Sequence, residues 1–300
     1  MMYNSTSLSL YTPNFFKIAD REKLEYYTKL GYEYAPKQKI IITTMVRDVI
    51  KNIPAIISKA EKVGSLFADY RILIVENNST DGTREALLAW SSKNPRVTVL
   101  GCGVNAPSCS LTFANNKTIG HEINRGRIDK MTHLRNIYLD YIKNTPELHD
   151  FEYTMMWDLD IVGIAYIDGI SNSIGHFVTR KDVDVITAYG IYRWGYITVY
   201  YDTYAHLDLG EEELDVKNKT AHDIEKGFGI KCKRGEDLIP INSGFGGLTI
   251  YRTSVLLRPE VTYTVSPGEN IECEHVRLHR VIGKGIYMNP SMINYVLKNE

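Results

Sequence analysis

At 300 residues the chain exceeds the common size of one domain, which leaves a single large α/β domain or two closely joined ones. Its 44% hydrophobic and 24% charged residues are those of an ordinary soluble globular protein. A net charge of −1 gives no basic footprint for nucleic acid, and no apolar run reaches the ~18 residues of a transmembrane segment. The N-terminus has no signal-peptide core, so the expected location is the cytoplasm, either free or peripheral to a membrane. Cys102, Cys109, Cys232 and Cys273 show no paired spacing and are read as reduced thiols.

Residues 1–37 form a leader in which Ile18, Leu24, Tyr27 and Leu30 make a helical stripe, expected to pack on the outside without a chemical role. Lys39-Ile-Ile-Ile-Thr-Thr44 is a continuous apolar run, the pattern of a buried parallel strand. A loop with Arg47 and Asp48 leads to a helix over 49–63. Arg71-Ile-Leu-Ile-Val-Glu76 is a second buried strand, followed by a polar turn in which Asp81 is placed to cap a helix over 83–90. A third strand follows at 97–100. This alternation predicts a Rossmann-like, mostly parallel sheet with helices on both faces.

Ile128, Met131, Leu134, Tyr138 and Tyr141 share one helical stripe, with Arg125, Arg127 and Arg135 around it. Tyr153-Thr-Met-Met-Trp157 then reads as a strand ending in Asp158 and Asp160. If the strand continues, the two acids share a face. If it stops, they share the loop at its carboxyl edge, where open α/β sheets bind ligands. Either way, two carboxylates there need a counter-ion, and a divalent cation suits oxygen ligands.

Beyond 162 the alternation fades. A strand is expected over 183–188, aromatic segments follow at 189–204, and 208–237 reads as charged loop. A glycine-rich turn with a strand is expected over 239–251, a helical turn or two over 272–279, and a last strand over 285–292.

Val75-Glu-Asn-Asn-Ser-Thr-Asp-Gly-Thr83 resembles the Val-Asp-Asp-Gly-Ser-x-Asp-Gly-Thr signature of GT-A glycosyltransferases. Met131-Thr-His-Leu-Arg-Asn136 resembles the Ala-Arg-Asn helix before their Asp-x-Asp motif, and Trp157-Asp-Leu-Asp160 stands where that motif stands. Asn242-Ser-Gly-Phe-Gly-Gly-Leu248 is similar to their acceptor loop, and Cys273-Glu-His275 lies near their catalytic acid. Tyr201-Asp-Thr-Tyr-Ala205 resembles a segment of fungal capsule α-1,3-mannosyltransferases. Together these motifs span residues 39–292. Two positions depart from the pattern. Glu76-Asn77 replaces an aspartate pair, and Glu274-His275 replaces a Glu-Asp dipeptide.

The resemblance implies a single GT-A domain with a nucleotide-sugar half at 38–162 and an acceptor half at 163–300. It implies a metal-dependent transferase moving a hexose, with mannose favoured, from a GDP- or UDP-sugar to a hydroxyl of a glycan acceptor. Thr43, Thr44, Arg47, Glu76, Asn78, Arg135 and Asp158 are the expected donor contacts. Tyr192, Trp194, Tyr201, Asp202, Gly246 and Gly247 are the expected acceptor contacts, and Glu274 and Glu272 the catalytic acids. Asp160 is the expected ligand of Mn2+ or Mg2+. His275 and His279, four apart on a helix, are candidates beside it, and a histidine ligand would favour Mn2+. The alternatives are a sugar-nucleotide pyrophosphorylase and a GT-A domain that binds carbohydrate without turnover.

Overall fold

The computed structural model of the chain describes residues 11–101, 125–211, 219–265 and 271–297. Cys102 and Cys109 lie outside them. Cys232 and Cys273 are free thiols, as expected.

After the leader helix α1 (Arg21–Tyr34) the chain runs β1 (Lys39–Val46), α2 (Ile53–Gly64), β2 (Asp69–Glu76), α3 (Thr83–Lys93), β3 (Val97–Gly101), α4 (Arg125–Lys143) and β4 (Tyr153–Trp157). There follow β5 (Gly163–Ala165), α5 (Ile167–Thr179), β6 (Val185–Trp194), β7 (Ile197–Tyr200), β8 (Leu207–Asp208) and α6 (Lys219–Gly229). The chain closes with β9 (Ile239–Ser243), β10 (Leu248–Arg252), α7 (Thr253–Leu256), α8 (Glu274–Ile282) and β11 (Ile286–Val296). The described strands form one sheet in the order β3-β2-β1-β4-β10-β6-β11-β9-β8, with β5 on β11 and β7 on β6.

The expected α/β architecture is present. The strands from β3 to β4 are parallel, whereas β10 runs antiparallel to both β4 and β6, so the second half of the sheet is mixed. Ile40, Ile41 and Ile42 are all fully buried, and each such side chain contributes about 1.5–3 kcal/mol, which fixes β1 at the centre of the sheet. They alternate between two cores. Ile41 joins Leu73 and Val75 under α4 and α8, while Ile40 and Ile42 join Ile72 and Ile74 under α2, α3 and α5.

Asp20 accepts the backbone N–H of Lys23 at 2.9 Å, so the leader helix starts at Arg21, three residues after its apolar stripe begins at Ile18. It packs on α5, where Tyr27 stacks on His176 at 3.7 Å and Asn172 donates to the Leu24 carbonyl. Helix α5 was not expected, although Ile167, Ile170, Ile174 and Phe177 mark its apolar stripe. Helix α6 corrects the loop expected at 208–237. Its inward face carries His222, Asp223 and a buried Lys226 paired with Asp208 and Glu211, and hydrophobic periodicity does not register a polar face. Among the described residues, no helix is long and apolar enough to cross a membrane.

Candidate functional site

The topology creates one crevice before any side chain is considered. From β1 the chain passes through α2, on one face, to β2. It reaches β4, on the other side of β1, through α4 on the opposite face. The strand order therefore reverses between β1 and β4, and the helices leave a gap beyond their carboxyl ends. Asp158 follows β4 directly into that gap.

The strand stops at Trp157, so the two acids lie in the loop at its edge. The Asp158 N–H donates to the Gly247 carbonyl at 3.0 Å, and the Ile161 N–H closes back on the Asp158 carbonyl at 3.2 Å. The Leu159 N–H donates to the hydroxyl of buried Thr44 at 3.3 Å. From α2, Lys59 reaches the Ile161 carbonyl at 3.4 Å and faces the Asp160 charge. The β4 loop is thus tied to β1, α2 and the glycine turn.

Arg135, on α4, is the buried cation of the site. Its Nε donates to Glu274 Oε1 at 2.8 Å, a terminal nitrogen lies 3.5 Å from Asp158, and its guanidinium stands over the Phe245 ring at 5.0 Å. Burial opposes its charge, but Tyr138, Glu274 and Asp158 outweigh burial and hold its pKa well above the ordinary value. The acids outnumber it. Burial pushes the Asp158 carboxyl up to about 8, and Asp160, Asp202 and Glu274 add to the effect against Arg135. Burial also raises Asp160 and pushes Asp202 up to about 7, with Glu274 adding to the latter. Asp158 keeps 23% of its side-chain exposure, so its carboxylate is reachable from the crevice.

This donor set fits a hard divalent cation: several oxygen ligands carry excess negative charge, and one arginine offsets part of it. Among the described residues no three His, Cys, Asp or Glu side chains converge as a ligand cage. A cation shared with substrate phosphates needs only one or two carboxylates.

Opposite the β4 loop, residues 244–247 turn between β9 and β10. Gly247 has φ 78, and a Cβ there would lie 2.5 Å from Asn294 Nδ2. That nitrogen holds the Gly246 carbonyl at 2.8 Å. Tyr201 donates its backbone N–H to Gly190 at 2.8 Å and would sit 3.5 Å from the same Cβ. The next residue, Asp202, has left-handed backbone (φ 69, ψ 45) and accepts the Gly246 N–H. Asp158, Asp160, Asp202, Glu274, Gly246, Gly247 and Tyr201 are therefore brought together at one crevice.

Other expected site residues have structural employment. Glu272 pairs with Arg277 at 2.9 Å and Arg280 at 2.6 Å, and these partners lower its pKa against the cost of burial, so the catalytic reading is corrected to an ion cluster bracing α8. His279 is corrected as a metal candidate, because its ring bonds Ser243 at 3.0 Å and Tyr251 at 2.9 Å, leaving no nitrogen for a metal. His275 lies stacked on Phe245 at 3.9 Å, and burial first, then Arg135, holds its pKa well below the ordinary value. The ring centroids of His275 and His279 are 6.1 Å apart.

Glu76 is fully buried. It accepts the Ser79 N–H at 2.6 Å and pairs with Arg84 at 2.6 Å, organising the turn after β2 rather than presenting a carboxylate to the crevice. Asn78 is left-handed (φ 53), and its side-chain oxygen accepts from Arg84 at 3.3 Å. Arg47 is half-exposed beside Asp48 at 3.3 Å. Thr43 is buried and donates to the Met155 carbonyl at 3.4 Å, joining β1 to β4. Trp194, 63% exposed and packed on Phe228 at 5.8 Å, and half-buried Tyr192 belong to the β6–β7 hairpin. Lys59, Phe245 and Asn294 join the site without being among the expected site residues. Phe245 lies inside the glycine motif, which was its available signal, whereas Lys59 and Asn294 carry none.

No family model matches the chain, and no curated protein matches it. Solved structures with which it shares similarity include the mannosyltransferase PcManGT from Pyrobaculum calidifontis in complex with GDP-Man and Mn2+, at 12% identity and a TM-score of 0.47 over 91% of this chain and 64% of that one. S. aureus TarS 1-349 in complex with UDP-GlcNAc is similar at 13% identity and a TM-score of 0.47, over 88% of this chain and 59% of that one. A mycobacterial protein is similar at 11% identity and a TM-score of 0.46, over 91% of this chain and 72% of that one. The chain spans less than two thirds of the length of the first two.

Proposed function

We propose that this protein is a GT-A-type glycosyltransferase that moves a hexose from a nucleotide-sugar to a hydroxyl of a glycan acceptor. The observation that carries this reading is the gathering of Asp158, Asp160, Asp202 and Glu274 around buried Arg135 at the β1/β4 switch point. Such a concentration of carboxylates is unfavourable by itself and becomes favourable when a cationic or cation-bound ligand enters. A nucleoside diphosphate accompanied by a divalent ion supplies that charge.

Asp160, with Asp158 beside it, would hold Mn2+ or Mg2+, which when bound neutralises negative charge developing on the leaving diphosphate. Thr44 and Lys59 fix the loop carrying both acids. Glu274 orients Arg135, and Arg135 keeps Asp158 directed at the crevice. The half at 38–162 receives the donor. The half at 163–300 supplies the glycine turn and Asp202 on the side where an acceptor docks, and Gly247 allows close backbone approach because a Cβ there has no room. Mannose is the favoured hexose, and GDP the favoured nucleotide, on the resemblance of Tyr201-Asp-Thr-Tyr-Ala205 to capsule mannosyltransferases.

A thermal-shift panel of GDP, UDP and their sugars, with and without Mn2+, tests the reading. A binder at 100 times its Kd adds about 2.7 kcal/mol of stability. Metal-dependent stabilisation of wild type that is lost in Asp160→Ala is the expected result. Stabilisation by no nucleotide, or equal stabilisation of both proteins, overturns it.

A further inference from the structure

We infer that Asp202, rather than Glu274, is the carboxylate that takes the proton of the acceptor hydroxyl. The inference rests on the nucleotide-sugar reading above and goes beyond it by assigning the proton transfer.

The two acids differ in what already holds them. Glu274 has 6% side-chain exposure, with one oxygen on Arg135 at 2.8 Å and the other accepting from Cys273 at 3.6 Å. A carboxylate with one oxygen on a buried guanidinium and the other on a thiol has neither oxygen free to meet an acceptor hydroxyl. Asp202 is partly exposed, and the Gly246 backbone N–H faces its carboxylate. That bond fixes the side chain at the glycine turn, on the acceptor side of the crevice.

The backbone adds a second observation. Asp202 is one of only three non-glycine residues with positive φ among those described, a conformation that L side chains seldom adopt. Such strain persists where the surroundings over-determine a conformation. Here the Tyr201 N–H is held by Gly190 and the Asp202 carboxylate by Gly246, so the acid is locked against the turn.

The surroundings give it the affinity of a base. Glu274 of α8, Cys273 just before it, Asp158 after β4, and neighbouring Tyr200 and Tyr201 face it, with Arg135 and Arg127 of α4 opposing their effect. Burial first and then Glu274 push its carboxyl up to about 7, near the value at which a general base works best at neutral pH. In the step, the acceptor oxygen bonds to the anomeric carbon while the bond from that carbon to the diphosphate oxygen breaks and keeps its electron pair. The hydroxyl proton passes to an Asp202 oxygen and leaves to solvent after product release.

The test uses the full chain with Mn2+, following release of free sugar from GDP-mannose and UDP-N-acetylglucosamine, where water stands in for the acceptor. Asn tolerates left-handed backbone, so Asp202→Asn keeps the fold and the Gly246 bond while losing basicity. Its melting temperature, compared with wild type, verifies this, and Asp202→Gly, which relieves the strain outright, provides a second variant. The expected result is a 10²–10⁴-fold loss of rate in both variants, roughly the worth of a general base. GDP and UDP affinities stay within about threefold, and the acid limb of the wild-type pH–rate profile disappears. Glu274→Gln keeps that acid limb.

An Asp202→Asn enzyme that retains more than a tenth of the rate, or keeps the acid limb while Glu274→Gln loses it, overturns the assignment and leaves the nucleotide-sugar reading standing. Nucleotide binding by wild type without sugar release at any pH also overturns it. Absence of nucleotide binding overturns the reading and the assignment together.

Discussion

Arg135 Nε donates to Glu274 Oε1 at 2.8 Å across the buried contact between α4 and α8, with both side chains at most 6% exposed. The same guanidinium lies 3.5 Å from Asp158 at the mouth of the crevice. One cation therefore joins the helix that precedes β4, the acid that follows it and the helix near the C-terminus. Removing it leaves several acids in a poorly hydrated site.

Arg135→Met is accordingly expected to destabilise the protein by about 3–5 kcal/mol, the cost of breaking one side of a buried ion pair. The double variant Arg135→Met with Glu274→Leu should recover a large part of that loss. Urea denaturation of the three proteins measures both. A single variant within about 1 kcal/mol of wild type would show that the pair is not a structural link.

Asp158 makes stability depend on pH in a direction that can be worked out. Its carboxyl is pushed up to about 8 in the folded chain, against about 3.9 when unfolded. Between those values the folded state binds the extra proton, so stability falls as pH rises, by up to about 1.4 kcal/mol per pH unit for each proton. Asp158→Asn removes this contribution. The variant should gain on wild type from pH 5 to pH 8, by at least about 1 kcal/mol in total. A difference that is flat with pH contradicts the assignment.

Metal binding carries the opposite dependence. A divalent ion takes ionised carboxylates, so binding must release protons from Asp158 and Asp160, whose carboxyls burial raises. Mn2+ affinity, measured by calorimetry in two buffers of different ionisation enthalpy with GDP or UDP present, should rise from pH 6 to pH 8 with net proton release. Asp160→Ala should show neither the binding nor the protons.

Glu76 separates a structural acid from a ligand-binding one. It is fully buried between the Ser79 N–H and Arg84, so Glu76→Ala should cost about 1–3 kcal/mol of stability through the opened turn. Glu76→Gln should cost less, since it can still accept the Ser79 N–H. If instead Glu76→Ala melts like wild type and only nucleotide affinity falls, the carboxylate contacts the nucleotide directly.

Gly247 tests the turn. With φ 78 and Asn294 Nδ2 2.5 Å from where a Cβ would stand, Gly247→Ala should cost at least about 1–2 kcal/mol from left-handed backbone alone. The displaced Asn294 would release the Gly246 carbonyl, so nucleotide-sugar turnover should fall further than stability does. Melting temperature and sugar release on the same preparation distinguish the two effects.

The first four strands, β1 to β4, were legible because burial on both faces demands continuous apolar runs such as Ile40-Ile41-Ile42, and because turn residues punctuate them. Asp158, Asp160, Asp202 and Glu274 could likewise be named in advance, from spacing and motif. Their partners could not. Whether a carboxylate is clamped or available depends on an arginine 139 residues away in the chain, as for Glu274 and Arg135, or on an arginine eight residues away, as for Glu76 and Arg84. Local pattern carries no information about such pairing, since it is fixed by how α4, α8 and the sheet pack. For the same reason His275 and His279 share a helix face in the sequence, yet one stacks on Phe245 and the other bonds Ser243 and Tyr251. The sequence by itself determined which chemical groups stand near the carboxyl ends of the strands. Only the tertiary structure decided which of them are held by neighbours and which face the crevice, because desolvation and pairing act across elements distant in the chain.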